Sequence, residues 1–529
     1  MKKRSFLHSA GMTVTVMMAA TLFAKALGLV RQIMTAGIFA ASMEGIAFSA
    51  ASKIPLAVFD MLFSTAILGS FLPVYKGRLQ EDEARARLFA SSFLSTVTLV
   101  TALIAVLGVV FAEGIIGISA PELDEQTGKL AVLLLRIMFP SMTFAGMAYT
   151  LVGVLQSHEK FILPALVSAV SNLIMIGYLG FLSFYGVSIN KNAAIGFAVA
   201  YLISWAAQFL TLAVPLMREK RFPHMTLRLR HEDTVTALRR ALPVMFGSWL
   251  IPMITLIANA FSSLVDARTI AADALPGTAI VVYENAFSVF SIAAGLLTYG
   301  VCNYLFPRLS ARSASHDGEG FARLTGIGFT VSLGLILPIA AAVFLLADEV
   351  VGFLYLRGSF TPALAASASG SLRALTLAMP AYGLTELFSR VCYSSGNVRL
   401  PMISSLSGIA ATLLVSLIFW KTDILSVQTV ALSAALGQIT AAGVLFVLCG
   451  IRFRGIRSSV SLPKLAVILG GTILSGCVMA GCERVLRHFL NFSHTFENFI
   501  TIAIVFTVGF MVYLIWLMMM KPVFADLLR

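Results

Sequence analysis

Apolar residues come in long blocks along this chain, and polar residues collect in the short gaps between them. Fourteen blocks stand out, at about 13–40, 46–74, 88–118, 130–156, 161–186, 193–217, 241–265, 277–307, 324–346, 364–394, 400–420, 427–450, 465–482 and 499–520. A helix rises ~1.5 Å per residue, so ~20 residues cross a hydrocarbon layer ~30 Å thick. The gaps are mostly short, and several are marked by Pro or Gly. The pattern predicts an all-α polytopic membrane protein with about fourteen transmembrane helices.

Composition agrees and narrows the class. Of 529 residues, 58% are hydrophobic and only 12% are charged, with a mean hydropathy of +0.91. A soluble chain of this size could not hide so much apolar surface. The net charge of +13 could point to nucleic acid, but its placement says otherwise. With the N-terminus inside and the spans alternating, 25 Lys and Arg fall on the inner side and 7 on the outer. That bias places both termini in the cytoplasm and leaves no nucleic-acid footprint. Acidic residues such as Glu122, Asp124, Asp348 and Glu349 lie in outer connections. The longest connection, 218–240, holds seven Lys or Arg and reads either as a solvated basic loop or as a surface helix.

Cysteine and histidine add little chemistry. Cys302, Cys392, Cys449, Cys477 and Cys482 lie in or at the edge of apolar blocks without metal spacing, so they read as small core residues. No metal site is expected. All seven histidines fall in termini or connections, which argues against a histidine relay in the membrane.

The first block carries the least ordinary residues. Lys25, Gly28 and Arg31 share a stripe ~120° wide, with the two cations ~9 Å apart along the axis. Charges deep in a bilayer cost a few kcal/mol, about 3 on insertion scales, and usually face a cavity or a partner. Two cations with no intervening acid suggest an anionic guest. The stretch from Met1 to Ala26 also has the layout of a signal peptide, but apolar character continues to Ala40, so a retained span is expected.

Two landmarks recur. Leu135-Arg136 precedes Pro164 as Leu372-Arg373 precedes Pro401, at an offset of 237, and Pro73 pairs with Pro307 at 234. An even number of helices per repeat keeps both copies in one orientation. The predicted plan is therefore two six-helix lobes, 1–225 and 226–456, followed by a helix pair at 457–529.

The runs LLLRIMFPSMTFAGMAYTLVGVLQSHEKFILPAL (133–166), MPAYGLTELFSRVCYSSGNVRLPM (379–402) and AKALGLVRQ (24–32) resemble the MurJ/MviN family of bacterial lipid II flippases. These belong to the multidrug/oligosaccharidyl-lipid/polysaccharide exporter superfamily. The resemblance implies alternating access around a cationic central cavity that receives an undecaprenyl-pyrophosphate-linked substrate. It also implies that the last two helices form a groove for the lipid tail. Membrane lipids and cell-wall synthesis enzymes are the partners it implies, and a monomer is expected. Residue by residue, Lys25 and Arg31 stand at the two arginines of the family's first-helix motif, and Gln32 replaces its acid. Lys53 matches the lysine of K-[LI]-P. Phe59 replaces the arginine usual six residues later, Ile46 stands where an acid is usual with Glu44 nearby, and Ser288 occupies the arginine position of Y-A-x-R. The resemblance thus makes Lys25, Arg31 and Lys53 the substrate-binding set, with fewer cations than usual.

The remaining charges in the spans leave both structural and functional readings open. Lys53 and Asp60, seven residues apart, either bracket a cavity or bridge to neighbouring helices. Glu284 is a cavity acid or a coupling site. Arg136 and Arg373 either serve a cavity or cap neighbouring helices near the outer face. Glu386 and Arg390 should neutralise each other. No catalytic residues are expected, because no acid, histidine or metal constellation is visible, and no cofactor is expected either. The sequence lacks G-x-x-x-x-G-K-[ST], which argues against direct ATP drive. The membrane potential, worth about 2.3 kcal/mol per charge per 100 mV, or coupling to H+ or Na+, would then drive transport. Blocks 241–265 and 400–420 contain no Asp or Glu, which weakens a carboxylate sodium site there. The expected function is a lipid II flippase. The alternatives are a flippase for another polyprenyl-pyrophosphate-linked glycan, or an ion-coupled small-molecule exporter.

Overall fold

The computed structural model describes residues 2–226, 232–489 and 495–523. Arg228 and Arg230 of the basic connection lie outside these residues. Regular structure among the described residues is helical throughout. In chain order the helices are α1 (Lys2–Ile38), α2 (Met43–Phe59), a π-helical turn (Asp60–Ser64), α3 (Thr65–Glu81), α4 (Glu83–Val110), α5 (Ala112–Ser119), α6 (Glu125–Met138) and α7 (Ser141–Ser157). Next come α8 (Ile162–Phe184), α9 (Lys191–Arg218), α10 (Glu232–Gly247), α11 (Leu250–Ser263), α12 (Thr278–Ala314), α13 (Gly318–Leu345) and α14 (Ala347–Tyr355). The last are α15 (Pro362–Thr376), α16 (Met379–Ser394), α17 (Arg399–Lys421), α18 (Val427–Arg452), α19 (Ile456–Ser459), α20 (Leu462–Phe489) and α21 (Thr495–Met519).

Eleven helical stretches among the described residues are long and apolar enough to cross a membrane. Helix α1, the α10–α11 pair and the α15–α16 pair complete the fourteen predicted blocks. The architecture is therefore the polytopic one, with six spans, then six more, then two. The sequence pattern did not show that four blocks are broken. Block 130–156 is interrupted at Phe139–Pro140, block 364–394 at Leu377–Ala378, block 241–265 at Ser248–Trp249, and block 88–118 at Phe111. Pro140 and Pro380 stand at or beside the first two breaks, where a residue without an N–H suits a new helix start. The basic connection also ends early, because α10 already begins at Glu232.

Helix starts are set by local hydrogen bonds, which matter more where water is scarce. Ser42 accepts from the Gly45 amide (3.1 Å) and Asp124 from the Thr127 amide (3.0 Å). Ser426 and Thr429 form a reciprocal capping box at the start of α18.

The helix order repeats. Met43 and Thr278, which open α2 and α12, are 235 residues apart. So are Glu83 and Gly318, which open α4 and α13, two helices of 28 residues each. Ile162 and Arg399 open α8 and α17, 237 apart and each 23 residues long. The short helices α5 and α14 also correspond. Leu135-Arg136 and Leu372-Arg373 both fall at the ends of α6 and α15.

By packing, the chain divides into two compact units, Met1–Pro252 and Met253–Arg529. The first is built on stacked aromatic rings. Phe71 lies 5.3 Å from Phe89, 5.2 Å from Tyr75 and 5.0 Å from Phe93, all buried. Within this unit α10 packs against α3, and Arg78 forms a two-pronged pair with Asp233 at 2.9 Å. The core of the second unit gathers Phe329, Phe388, Cys302, Cys392 and Cys449. Three of the five cysteines are thus core residues as expected, whereas Cys477 lies on an exposed face of α20. Helices α8, α20 and α21 leave large apolar side chains exposed, among them Leu173, Phe184, Ile473 and Ile515, as lipid contact requires.

Candidate functional site

The site in the first unit starts from a close helix contact. Helices α1 and α8 pack together, and a Cβ at Gly28 would stand 3.4 Å from the Asn172 amide nitrogen. Asn172 uses that closeness in both directions. Its Nδ2 donates to the Ala24 carbonyl (3.2 Å), and its Oδ1 accepts from Arg31 Nε (3.1 Å). The lysine–glycine–arginine stripe of α1 is therefore read by one amide side chain from 141 residues away. Lys25 and Arg31 are both half-buried. Gln32, which stands where the family has an acid, is buried.

Asn172 also lines a cavity of about 420 Å³ within this unit, together with Asp60, Tyr149, Ser171, Trp205 and Gln208. Asp60 opens the π-helical turn. Pro55 removes one amide from α2, a turn earlier. The Asp60 amide is shared between the Leu56 and Ala57 carbonyls. The looser turn leaves the Met61 carbonyl to the Trp249 indole, which donates to it at 2.9 Å. Such turns in helices often mark functional positions, because they re-aim a side chain. On the cavity wall, Ser171 donates to Ser204 (2.9 Å).

The cavity wall holds an acid, amides, hydroxyls and aromatic faces. Lys25, Arg31 and Lys53 are not among its lining residues. Arg31 reaches its rim through Asn172, and Lys53 lies half-buried in α2, three residues before the lining Leu56. Such a lining can hydrogen-bond neutral polar groups and hold one cation or proton at Asp60. Neutralising a diphosphate requires the cations beside it.

In the second unit, Glu284 and Ser288 lie one turn apart in α12 and are both half-buried. Between them Asn285 is buried, donating to the Val281 carbonyl (3.0 Å) and accepting from Tyr355 of α14 at its backbone oxygen (3.4 Å). A row of aromatic rings, Tyr283, Phe287, Phe290 and Tyr382, runs beside α12 at 5.7–6.0 Å in succession, and helical spacing puts Ser288 on another face.

The two landmark arginines differ from each other. Arg136 donates to the Val109 carbonyl at 3.3 Å, satisfying the end of α4. Arg373 pairs with Asp348 at 2.7 Å. Asp348 and Glu349 in turn face Arg487 of α20, at 3.8 and 2.8 Å, and Arg487 also pairs with Glu483. Burial pushes the Glu349 carboxyl up, and Arg487 pulls it down. Glu386 and Arg390 sit 3.8 Å apart. Among the described residues, no group of His, Cys, Asp or Glu is placed to hold a metal.

Sequence reasoning missed Asn172, Trp205, Gln208 and Trp249. Asn172 and Gln208 are polar residues inside apolar blocks, which is the signal that could have found them.

Comparison with known proteins follows from this geometry. The model of a family described as "Lipid II flippase MurJ" matches residues 35–500. A probable lipid II flippase MurJ of Bdellovibrio bacteriovorus is 26% identical over 462 residues, 86% of this chain and 85% of that one. The lipid II flippase MurJ of Burkholderia cenocepacia is 25% identical over 468 residues, 85% and 87% of the two chains. Among solved structures, a lipid II flippase MurJ in an inward closed conformation superposes with a TM-score of 0.76 at 20% identity, covering 97% of this chain and all of that one. An inward-facing multidrug resistance MATE family transporter gives 0.67 at 14% identity, covering 84% and 99%.

Proposed function

The chain belongs to the lipid II flippase MurJ family, and on that premise we propose that it moves lipid II across the cytoplasmic membrane by alternating access. The observation that carries this reading is the family match over residues 35–500, which begins in the last turn of α1, just after Arg31, and takes in α2 to α20 and the start of α21. In this reading the protein is a transporter. Its substrate is the undecaprenyl-pyrophosphate-linked precursor, carried from the inner to the outer leaflet.

Arg31, Lys25 and Lys53 donate hydrogen bonds to the pyrophosphate oxygens. In a low-dielectric setting, charge-assisted bonds from such groups to phosphate oxygens are about twice as strong as neutral ones. Release requires that the loaded and empty forms differ by only a few kcal/mol, on the order of 3. The hold of Asn172 on Arg31 suits this need, since the amide is a weak partner that a phosphate can displace. Drive comes from the membrane potential, or from H+ or Na+ at Asp60 or Glu284. Both termini lie in the cytoplasm, and the protein works as a monomer.

The test is complementation of a bacterial strain depleted of its own lipid II flippase. Rescue of growth and of lipid II exposure on the outer leaflet is expected. Good membrane expression without rescue would overturn the cargo. A second reading, another polyprenyl-pyrophosphate-linked glycan, is favoured by Phe59 and Ser288, which stand where the family's usual cations would be. The same strain lacking a different lipid-linked glycan flippase separates the two.

A further inference from the structure

The elbow that ends the third span of each repeat has one shape but two kinds of cover. Helices α4 and α13 both end on a residue with nearly the same backbone angles, Phe111 (φ −91°, ψ 13°) and Leu346 (φ −92°, ψ 22°). The short helices that follow, α5 and α14, match at an offset of 235, with AEGIIGI (112–118) against ADEVVGF (347–353). Their inner faces are alike: Ala112 and Ala347 are buried, and so are Ile116 and Val351.

Their outer faces differ. On α14, a Cβ at Gly352 would stand 2.9 Å from Nδ2 of Asn498 in α21, and the Phe353 and Phe499 rings lie 5.4 Å apart. Leu346 is buried in a core with Met479 of α20 and Val505 of α21. Asp348 faces Arg487 of α20 at 3.8 Å. On α5, nothing stands within 4 Å of a Cβ at Gly117. Phe111, the counterpart of Leu346, is 60% exposed, and Ile118, the counterpart of Phe353, is 80% exposed. Glu113, the counterpart of Asp348, is exposed and makes no ion pair among the described residues. Val106 and Leu107 replace Ala341 and Ala342, so a helix has less room along α4 than α20 has along α13, and the bare face centres on the elbow.

Lipid tails do not account for this bare face. The apolar part of α4, 88–110, rises ~35 Å, more than the ~30 Å of a hydrocarbon layer. Helix α5 therefore lies at headgroup depth, at the end that the charge bias assigns to the outer side, where an exposed Ile118 meets water. A second copy docking through the same face would set one Glu113 against the other. We propose that the bare face of α5 docks a transmembrane helix of a different membrane protein. The covered counterpart gives the chemistry of that helix. Near its outer end it carries an aromatic ring for Ile118, a short polar side chain for Gly117, and a Lys or Arg for Glu113.

The experiment places the photo-reactive residue p-benzoylphenylalanine at Ile118 of the full-length chain, in growing cells of its own bacterium. Phe184, exposed on α8, takes the same residue as a lipid-facing control. It reads contact and not transport, so its outcome is independent of the cargo. Ile118 should give one discrete protein adduct, and Phe184 should not. The cross-link should map to the outer turns of a transmembrane helix, with a Lys or Arg beside it. In Glu113→Lys the adduct should fall at least about tenfold, because like charges across an interface repel. Gly117→Phe should remove it by filling the space that the docked helix occupies. Both residues are exposed, so neither change removes a packed side chain, and an unchanged thermal midpoint checks the fold. Lipid adducts alone at Ile118, or a cross-link to a soluble domain or to a second copy of this chain, overturn the proposal. So does an adduct of wild-type strength in both variants.

Discussion

The two helical repeats place different chemistry on the same scaffold. In the first, the segment Met43–Glu81 is broken by the π-helical turn Asp60–Ser64, whereas its counterpart Thr278–Ala314 runs as one helix of 37 residues. At an offset of 235, Lys53 corresponds to Ser288 and Asp60 to Gly295. The first repeat therefore carries a cation and an acid where the second carries a hydroxyl and a glycine. Packing does not require the difference, since both segments build the same span. The difference is chemical. The interrupted helix puts Asp60 on a cavity whose wall also holds Asn172, the amide that accepts from Arg31, while the uninterrupted one carries Ser288 on a face turned away from its row of aromatic rings at Tyr283, Phe287 and Phe290.

The largest expected effect would break this comparison if it failed. Arg31→Ala should lower lipid II flipping in proteoliposomes at least about tenfold, the equivalent of one lost charge-assisted bond. Arg31→Lys should recover part of it, and Asp60→Asn should also impair flipping. Ser288→Ala should stay within about threefold of wild type, less than the loss of one net hydrogen bond, and Glu284→Gln should change the pH dependence of flipping if that residue carries the coupled proton. A loss at Ser288 or Glu284 as large as at Arg31 would mean that both repeats share the chemistry equally.

A smaller effect sharpens the scaffold half of the comparison. The hairpins α8–α9 and α17–α18 correspond, and each brings a glycine against its neighbour. A Cβ at Gly196 would meet the Tyr178 ring, 2.0 Å from Oη and 2.6 Å from Cζ. At Gly437 it would meet Thr412 Oγ1 at 1.8 Å and the Gly408 carbonyl oxygen at 2.7 Å. A phenol can swing aside at the cost of its bond to the Ala193 carbonyl, but a backbone carbonyl cannot move without separating the helices. Overpacking costs about 1–3 kcal/mol, and the alanine regains up to about 1 kcal/mol of helix propensity. Gly437→Ala should therefore lower the thermal midpoint in detergent more than Gly196→Ala does. The reverse order would show that the α17–α18 contact is the softer one.

Much of this scaffold is legible in the sequence, because a bilayer demands long apolar helices and the charge bias orders them. The repeat is legible too. Arg136 and Arg373 were landmarks in the sequence, and each falls in the last turn of its helix. The breaks at Phe139–Pro140 and Leu377–Ala378 are hidden, because apolar character runs straight through them. The site is legible only in half. A cation such as Arg31 is conspicuous in an apolar block, but its partner Asn172 is far away in sequence, and no local rule pairs them. The π-helical turn is hidden for a similar reason, since its spare carbonyl is taken by Trp249, 188 residues away.

The smallest effect concerns those two landmark arginines, which share a position but differ in partner. Arg373 pairs with Asp348 at 2.7 Å, and both side chains are partly exposed, at 35% and 46%. Solvent screening holds such a pair to about 0–1 kcal/mol. Arg136 donates to the Val109 carbonyl at the end of α4, an exposed contact whose carbonyl water can also satisfy. Arg373→Met should therefore lower stability by no more than about 1 kcal/mol, and Arg136→Met by less, on the order of a few tenths. The Arg373 effect should shrink in high salt, and it should vanish in an Asp348→Asn background, where the pair has already lost its charge. Asp348 also faces Arg487 at 3.8 Å, so the Asp348→Asn change itself should cost more than Arg373→Met. Thermal unfolding of the four variants at low and high salt measures this. A salt-independent loss at Arg373, equal to that at Arg136, would show that both arginines act by packing and that the ion pair contributes nothing to the second repeat.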